Sequence, residues 1–122
     1  MGDLRELIEK LEKLEAPSRE VDLEIARHVL PDVICMRYNR ETRTNEQFVH
    51  WQYTASLDAA ISLCERLFPG TEIDITNLYG VARAGINLNL DAGPSYGEHW
   101  SGNLALAVLH ATLRAKAQES GR

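Results

Sequence analysis

Leu4, Leu7, Leu11 and Leu14 recur at alternating spacings of three and four, the period of one helical stripe, and Ile8 widens it. Asp3 is placed to cap this helix, with Glu6–Lys10 and Glu9–Lys13 as favourable i,i+4 pairs on its wet side. Pro17 breaks the pattern and Ser18 caps a second helix, with Val21, Ile25 and Val29 inward. Glu20 and Asp22 fall in its first turn, where the helix dipole favours anions, and Pro31 stops it. From Asp32 the period shifts to two. "DVICMRY" and "QFVHWQY" flank the polar tract "NRETRTNE", which predicts a hairpin apolar on both faces and so covered on both.

A third helix is predicted after Ser56, its N-cap, with Asp58 in the first turn. Leu57, Ala60, Ile61, Cys64, Leu67 and Phe68 face the core, and Pro69-Gly70 ends the run. "TEIDITN" and "VARAGINLNL" alternate most cleanly, with Leu78-Tyr79-Gly80 as the turn between them and one polar face left wet. "DAGPSYGEHW" reads as a loop, punctuated by Gly93-Pro94 and Gly97. Ser101 is placed to cap the last helix, whose stretch from Leu104 to Leu113 is apolar nearly all round and predicts deep burial.

The order ααββαββα predicts an α+β fold: a three-layer α/β/α sandwich around one four-stranded antiparallel sheet. The helices that follow the hairpins cover one face, and the first two helices cover the other. The chain reads as a single domain over 1–122, with a helical pair at 1–31, a ββαββα core at 32–117 and a frayed tail at 118–122. With 122 residues and 44% hydrophobic content, the chain has enough apolar material for one core and too little for two.

A net charge of −5 argues against a dedicated nucleic-acid binder. Arg37, Arg40 and Arg43 near Trp51 and Tyr53 could stack and pair with a single strand, but Asp32, Glu41 and Glu46 cancel their charge. Cys35 and Cys64 sit in apolar runs and read as buried free thiols of a reducing compartment. No apolar run is long enough to span a membrane, and the charged residues from Asp3 onward give the expectation of no signal-peptide core.

Local chemistry centres on "YGEHW". A glycine-containing loop presenting Tyr96, Glu98, His99 and Trp100 is a candidate binding surface. The structural alternative has Tyr96 and Trp100 closing the end of the core while His99 is solvated. Asp91, Glu98 and His99 could meet at a metal only if the loop bends sharply, so no metal or other cofactor is expected. The polar face of the second hairpin adds Asp74, Arg83, Asn87 and Asn89, with Asp74 and Arg83 in reach of pairing. No nucleophile or oxyanion feature accompanies His99, which argues against an enzyme.

"SREVDLEIARHV", "YTASLDAAISLCERL" and "SGNLALAVLHATLRA" resemble three blocks of the phage α-β-α sandwich domain family, and the likeness runs from about Asp3 to Ala117. Ala107 stands where the family commonly has Cys, and Asn103 where it has Pro. The resemblance implies the sandwich fold and a phage or prophage origin, with no established reaction and no defined catalytic residues. The expectation is a non-enzymatic accessory protein in the bacterial cytoplasm that binds a host or phage macromolecule, a protein partner foremost. Self-association through the leucine stripe is a further expectation. The alternative is a small-molecule binder or small enzyme using residues 91–101 and the polar face of the second hairpin.

Overall fold

The last helix organises the molecule. In a computed structural model, which describes residues 4–87 and 95–120, helix α4 (Leu104–Ser120) is buried on every side along its first half. Leu106, Val108, Leu109, Leu113 and the alanines between them are inaccessible, as the all-round apolar pattern predicts. One flank of α4 takes a three-stranded antiparallel sheet of β3 (Glu72–Leu78), β4 (Val81–Asn87) and β5 (Ser95–His99). Its other flanks take α1 (Leu4–Glu12) and α3 (Leu57–Leu67). The α4 helix runs through to Ser120, so the tail expected to fray at 118 is helical for three residues more.

β3 and β4 form as their alternation predicts, joined by the two-residue turn Tyr79-Gly80, both with positive φ (53° and 81°). That is the primed turn whose twist matches the two strands. Ile73, Ile75, Ala82, Ala84 and Ile86 face α4. Ser56 caps α3 by accepting from the Ala59 amide (3.3 Å), and Ser18 caps α2 (Arg19–Val29) by accepting from Val21 (3.3 Å).

The single four-stranded sheet is corrected. The described residues form two antiparallel sheets, one of three strands and one of two, because β5 lies in what the sequence presents as a loop. The two-stranded sheet is β1 (Cys35–Asn39) with β2 (Thr44–Phe48). Asn39 Oδ1 accepts from the Glu41 and Thr42 amides (2.9 and 3.4 Å), and Arg43 adopts φ 58° while donating to the Asn39 carbonyl at 2.8 Å. This turn closes the loop at residues 40–43, so Asn39 of the polar tract joins β1 and Thr44, Asn45 and Glu46 enter β2. The second expected strand is cut short after Phe48. Arg19 holds the Val49 and Trp51 carbonyls, and Val49 turns its side chain into the core.

This hairpin is not covered on both faces: Met36 and Tyr38 are each 60% exposed. Nor, among the described residues, do the first two helices pack extensively on a sheet. Leu7 and Leu11 are buried, α1 rests on α4, and α2 packs on α1 and on the 3₁₀ turn Pro31–Val33. The leucine stripe is therefore occupied within the chain. The outer face of β3–β4–β5 carries no helix among the described residues.

Candidate functional site

The period-two rule explains how "SYGEH" builds a site. Ser95, Gly97 and His99 point into the protein, and Tyr96 and Glu98 point out. Register then sets two rows across the open face: Thr76–Arg83–Glu98 and Asp74–Gly85–Tyr96. Arg83 Nε lies 3.5 Å from Glu98 Oε2, so Arg83 pairs with β5 and not with Asp74 as expected. The Tyr96 ring lies across Gly85, 3.3 Å from where a Cβ would stand, and fills the gap that glycine leaves in the sheet.

Ser95 and Gly97 are small because the strand lies directly on a helix backbone there. A Cβ on Gly97 would stand 2.3 Å from the Ala111 nitrogen. At that distance, α4 side chains reach round the outer edge of β5 and occupy its backbone groups. The Glu98 amide donates to His110 Nδ1 (3.1 Å), Arg114 donates to the Tyr96 carbonyl (2.9 Å), and Ser95 Oγ donates to the Ala111 carbonyl (2.9 Å). The β5 edge is closed to further pairing.

The end of β5 also terminates α1. His99 Nε2 meets the Leu11 carbonyl at 3.0 Å, beside the Leu14 amide that also bonds it (3.2 Å), and Trp100 Nε1 donates at 3.0 Å to the Glu12 carbonyl, one of those a helix end leaves without an intrahelical partner. His99 Nδ1 accepts from the Ser101 amide (3.2 Å), so the ring proton sits on Nε2. Ser101 Oγ lies 2.7 Å from the same Nδ1, a nucleophile–base distance, but the amide already holds the nitrogen lone pair a base would use. Ser101 does not cap α4. Asn103 does, accepting from the Leu106 amide at 3.3 Å, while Ser101 Oγ accepts from Asn103.

An open groove of about 820 Å³ runs from Asp74 and Thr76 on the sheet face, past Arg83 and Tyr96, and over the β5 edge to Trp100 and His110. Glu12 and Arg114 complete its far wall. No protein-family model matches the chain, and no curated protein and no solved structure matches it. Beyond the sequence resemblance, any functional reading therefore rests on this geometry.

Of the residues the sequence singled out, Tyr96, Glu98, Trp100, Asp74 and Arg83 line the groove. His99 does not: it is 2% exposed and spent on α1, the reverse of the reading in which it is solvated while the aromatics are buried. Asn87 stands on the same sheet face opposite Glu72, beyond the groove lining, and Asn89 and Asp91 lie outside the described residues. Glu98 and His99 project to opposite sides, and among the described residues no group of three or more His, Cys, Asp or Glu side chains could hold a metal ion. Tyr53 is buried, and Arg37 lies over the Phe48 ring (5.1 Å to its centroid), so these do not form an arginine–aromatic stacking surface together. Cys64 is buried and its thiol pKa is raised by that burial, while Cys35 is only half-buried. Sequence reasoning missed Glu12, His110 and Arg114, which come from distant helices. Only the spacing of four between His110, inside the apolar run, and Arg114, just after it, hinted at a shared task.

Burial holds the His110 imidazole below its usual 6.5, and the charge of Arg114 presses the same way against the pull of Glu12. The Glu98 amide also needs a neutral Nδ1, because an imidazolium has no lone pair there to accept with. A histidine depressed in the fold is protonated first in the unfolded chain, so its contribution is complete above about pH 6.5 and is lost as pH falls. Urea midpoints should therefore drop between about pH 7.5 and about pH 5.5 more steeply in the wild type than in His110→Gln, whose amide oxygen can still accept. Equal slopes would show that His110 is not held neutral by the fold.

Proposed function

We propose that this chain is a non-catalytic binding protein, an accessory protein of phage or prophage type in the bacterial cytoplasm. In this reading it takes a protein partner on the open face of the β3–β4–β5 sheet. The observation that carries it is the uncovered groove presenting Tyr96 and Trp100, 64% and 58% exposed, beside the Arg83–Glu98 pair. Tyr, Trp and Arg are the residue types that dominate binding energy at protein interfaces, and an open groove suits a partner's protruding side chain or segment. No helix among the described residues is long and apolar enough to cross a membrane, which fits an aqueous partner.

A photo-crosslinking phenylalanine analogue at Tyr96 should capture a protein in the bacterial host, and the same analogue at Tyr38 on the remote hairpin should not. Capture at Tyr38 alone would reject this face. The size of the groove favours one second reading, a small-molecule site, since about 820 Å³ falls within the roughly 300–1,000 Å³ of such sites. Native mass spectrometry of the purified protein separates the two. A reproducible added mass that disappears in Tyr96→Ala supports the ligand, and a bare chain supports the binding module.

A further inference from the structure

We propose that β3 is a self-pairing edge, and that two copies of this chain join there, antiparallel and centred on Ile75, into one six-stranded sheet. The hydrogen bonds of β5 show which backbone groups point outward. The Glu98 amide and the Tyr96 carbonyl reach α4 side chains beyond the sheet, so Gly97 and His99 are the residues of β5 bonded to β4. Ala82 and Ala84 therefore bond towards β5, and Arg83 and Gly85 bond towards β3. Their partners Thr76 and Asp74 are thereby used, which leaves the amides and carbonyls of Ile73, Ile75 and Asn77 directed at the open edge.

The two edges of the sheet are treated differently. Arg114 and His110 occupy the β5 edge, whereas no strand among the described residues pairs on the far side of β3. β3 carries the acids Glu72 and Asp74 but has no proline, no lysine and no break in its register with β4, three of the devices that blunt an edge. Helix α4 lies mainly over β5 and β4, so Ile73 and Ile75 remain only half-buried on the inner face.

Register selects the occupant. Centred on Ile75, all seven residues of β3 find a partner, with Ile73 opposite the partner's Asn77 and Ile75 opposite the partner's Ile75. Asp74 then faces the partner's Thr76, and Glu72 faces the partner's Leu78, so no like charges meet. Centring on Asp74 keeps the hydrogen-bonding parity but sets Asp74 against the partner's Asp74, which disfavours it. Centring on Thr76 also avoids like charges but pairs only five of the seven residues, so one register is complementary over the whole strand, and a second copy meets that requirement by symmetry. Since Asp74 and Thr76 begin the groove, pairing would set two grooves side by side on one wet face.

The test is sedimentation equilibrium of the full chain over a concentration series, with amide hydrogen exchange on the same samples. The expected result is a shift from 13.7 kDa to twice that mass, with exchange at Ile73, Ile75 and Asn77 slowing as the dimer fills. Thr76→Asp, on the exposed face, places a carboxylate against the partner's Asp74 twice and should weaken dimerisation about tenfold or more, whereas Thr76→Lys should strengthen it. A mass that stays at 13.7 kDa at every concentration would overturn the proposal. So would a dimer that leaves those three amides unchanged, or one that responds alike to both charges. The exchange measurement needs no variant, so it decides the matter even if a substituted chain folds poorly.

Discussion

Gly97→Ala should be among the most damaging single-methyl changes in this protein. The added Cβ would stand 2.3 Å from the Ala111 nitrogen, 2.7 Å from the Ala107 oxygen and 2.8 Å from the Ala111 Cα. All three are backbone atoms of α4, so no rotamer change can make room. Relief requires β5 to lift off the helix. That would pull the Glu98 amide from His110, the Tyr96 carbonyl from Arg114 and Ser95 Oγ from the Ala111 carbonyl. Overpacking of this kind costs about 3 kcal/mol, and the lost edge bonds push the cost upward. Urea unfolding should show a large fall in midpoint. Gly85→Ala is the control, because its Cβ meets only the Tyr96 ring at 3.3 Å, and that exposed side chain can swing aside. Similar midpoints for the two variants would mean that β5 is not seated on α4 as described.

The same close approach explains why β5 is hard to see in the sequence. A strand is recognised by apolar residues at every second position, and here the inward positions are Ser95, Gly97 and His99. Contact with a helix backbone leaves no space for larger side chains at Ser95 and Gly97, and His99 is polar. The period of two survives only as small or polar residues alternating with Tyr96 and Glu98. β3 and β4 face the same helix with Ile73, Ile75, Ala82, Ala84 and Ile86, so their pattern is plain. The caps Ser18 and Ser56 are legible because they act over three residues. The bonds that fix the candidate site act over much longer separations: His99 and Trp100 reach the end of α1 across 88 positions. Nothing local in "YGEHW" shows that its histidine faces in and its aromatics face out. The groove floor at Asp74 and Arg83 was legible from alternation, and its walls at Glu12, His110 and Arg114 were not.

Asp22→Ala should be the other severe substitution. In the sequence Asp22 reads as a first-turn acid favoured by the helix dipole, and it is that, but it is also 1% exposed. Its Oδ1 accepts from the Thr54 amide and from the Thr54 hydroxyl, both at 2.8 Å, and its Oδ2 accepts from Arg19 at 3.1 Å. Thr54 is the hub of this network. Its Oγ1 accepts from the Ser18 amide (2.8 Å), and its carbonyl accepts from Asn103 at the cap of α4 (3.3 Å). The "TAS" of "YTASLDAA" thus ties the starts of α2, α3 and α4 together. Removing the carboxylate strands the buried Thr54 amide, leaves the Thr54 hydroxyl only the Ser18 carbonyl (3.2 Å) to donate to, and releases Arg19 from one partner. A stranded buried amide costs about 1–3 kcal/mol, so with the weakened hydroxyl the total should be on the order of 2 kcal/mol after allowing for the half-exposed Arg19. Asp22→Asn keeps an acceptor for Thr54 and should lose distinctly less. Thr54→Val removes the hydroxyl from the other side, and the double variant should cost less than the sum of the singles by about 1 kcal/mol or more. Additive losses would mean that Asp22 and Thr54 act separately, and that these helix starts are held together by packing alone.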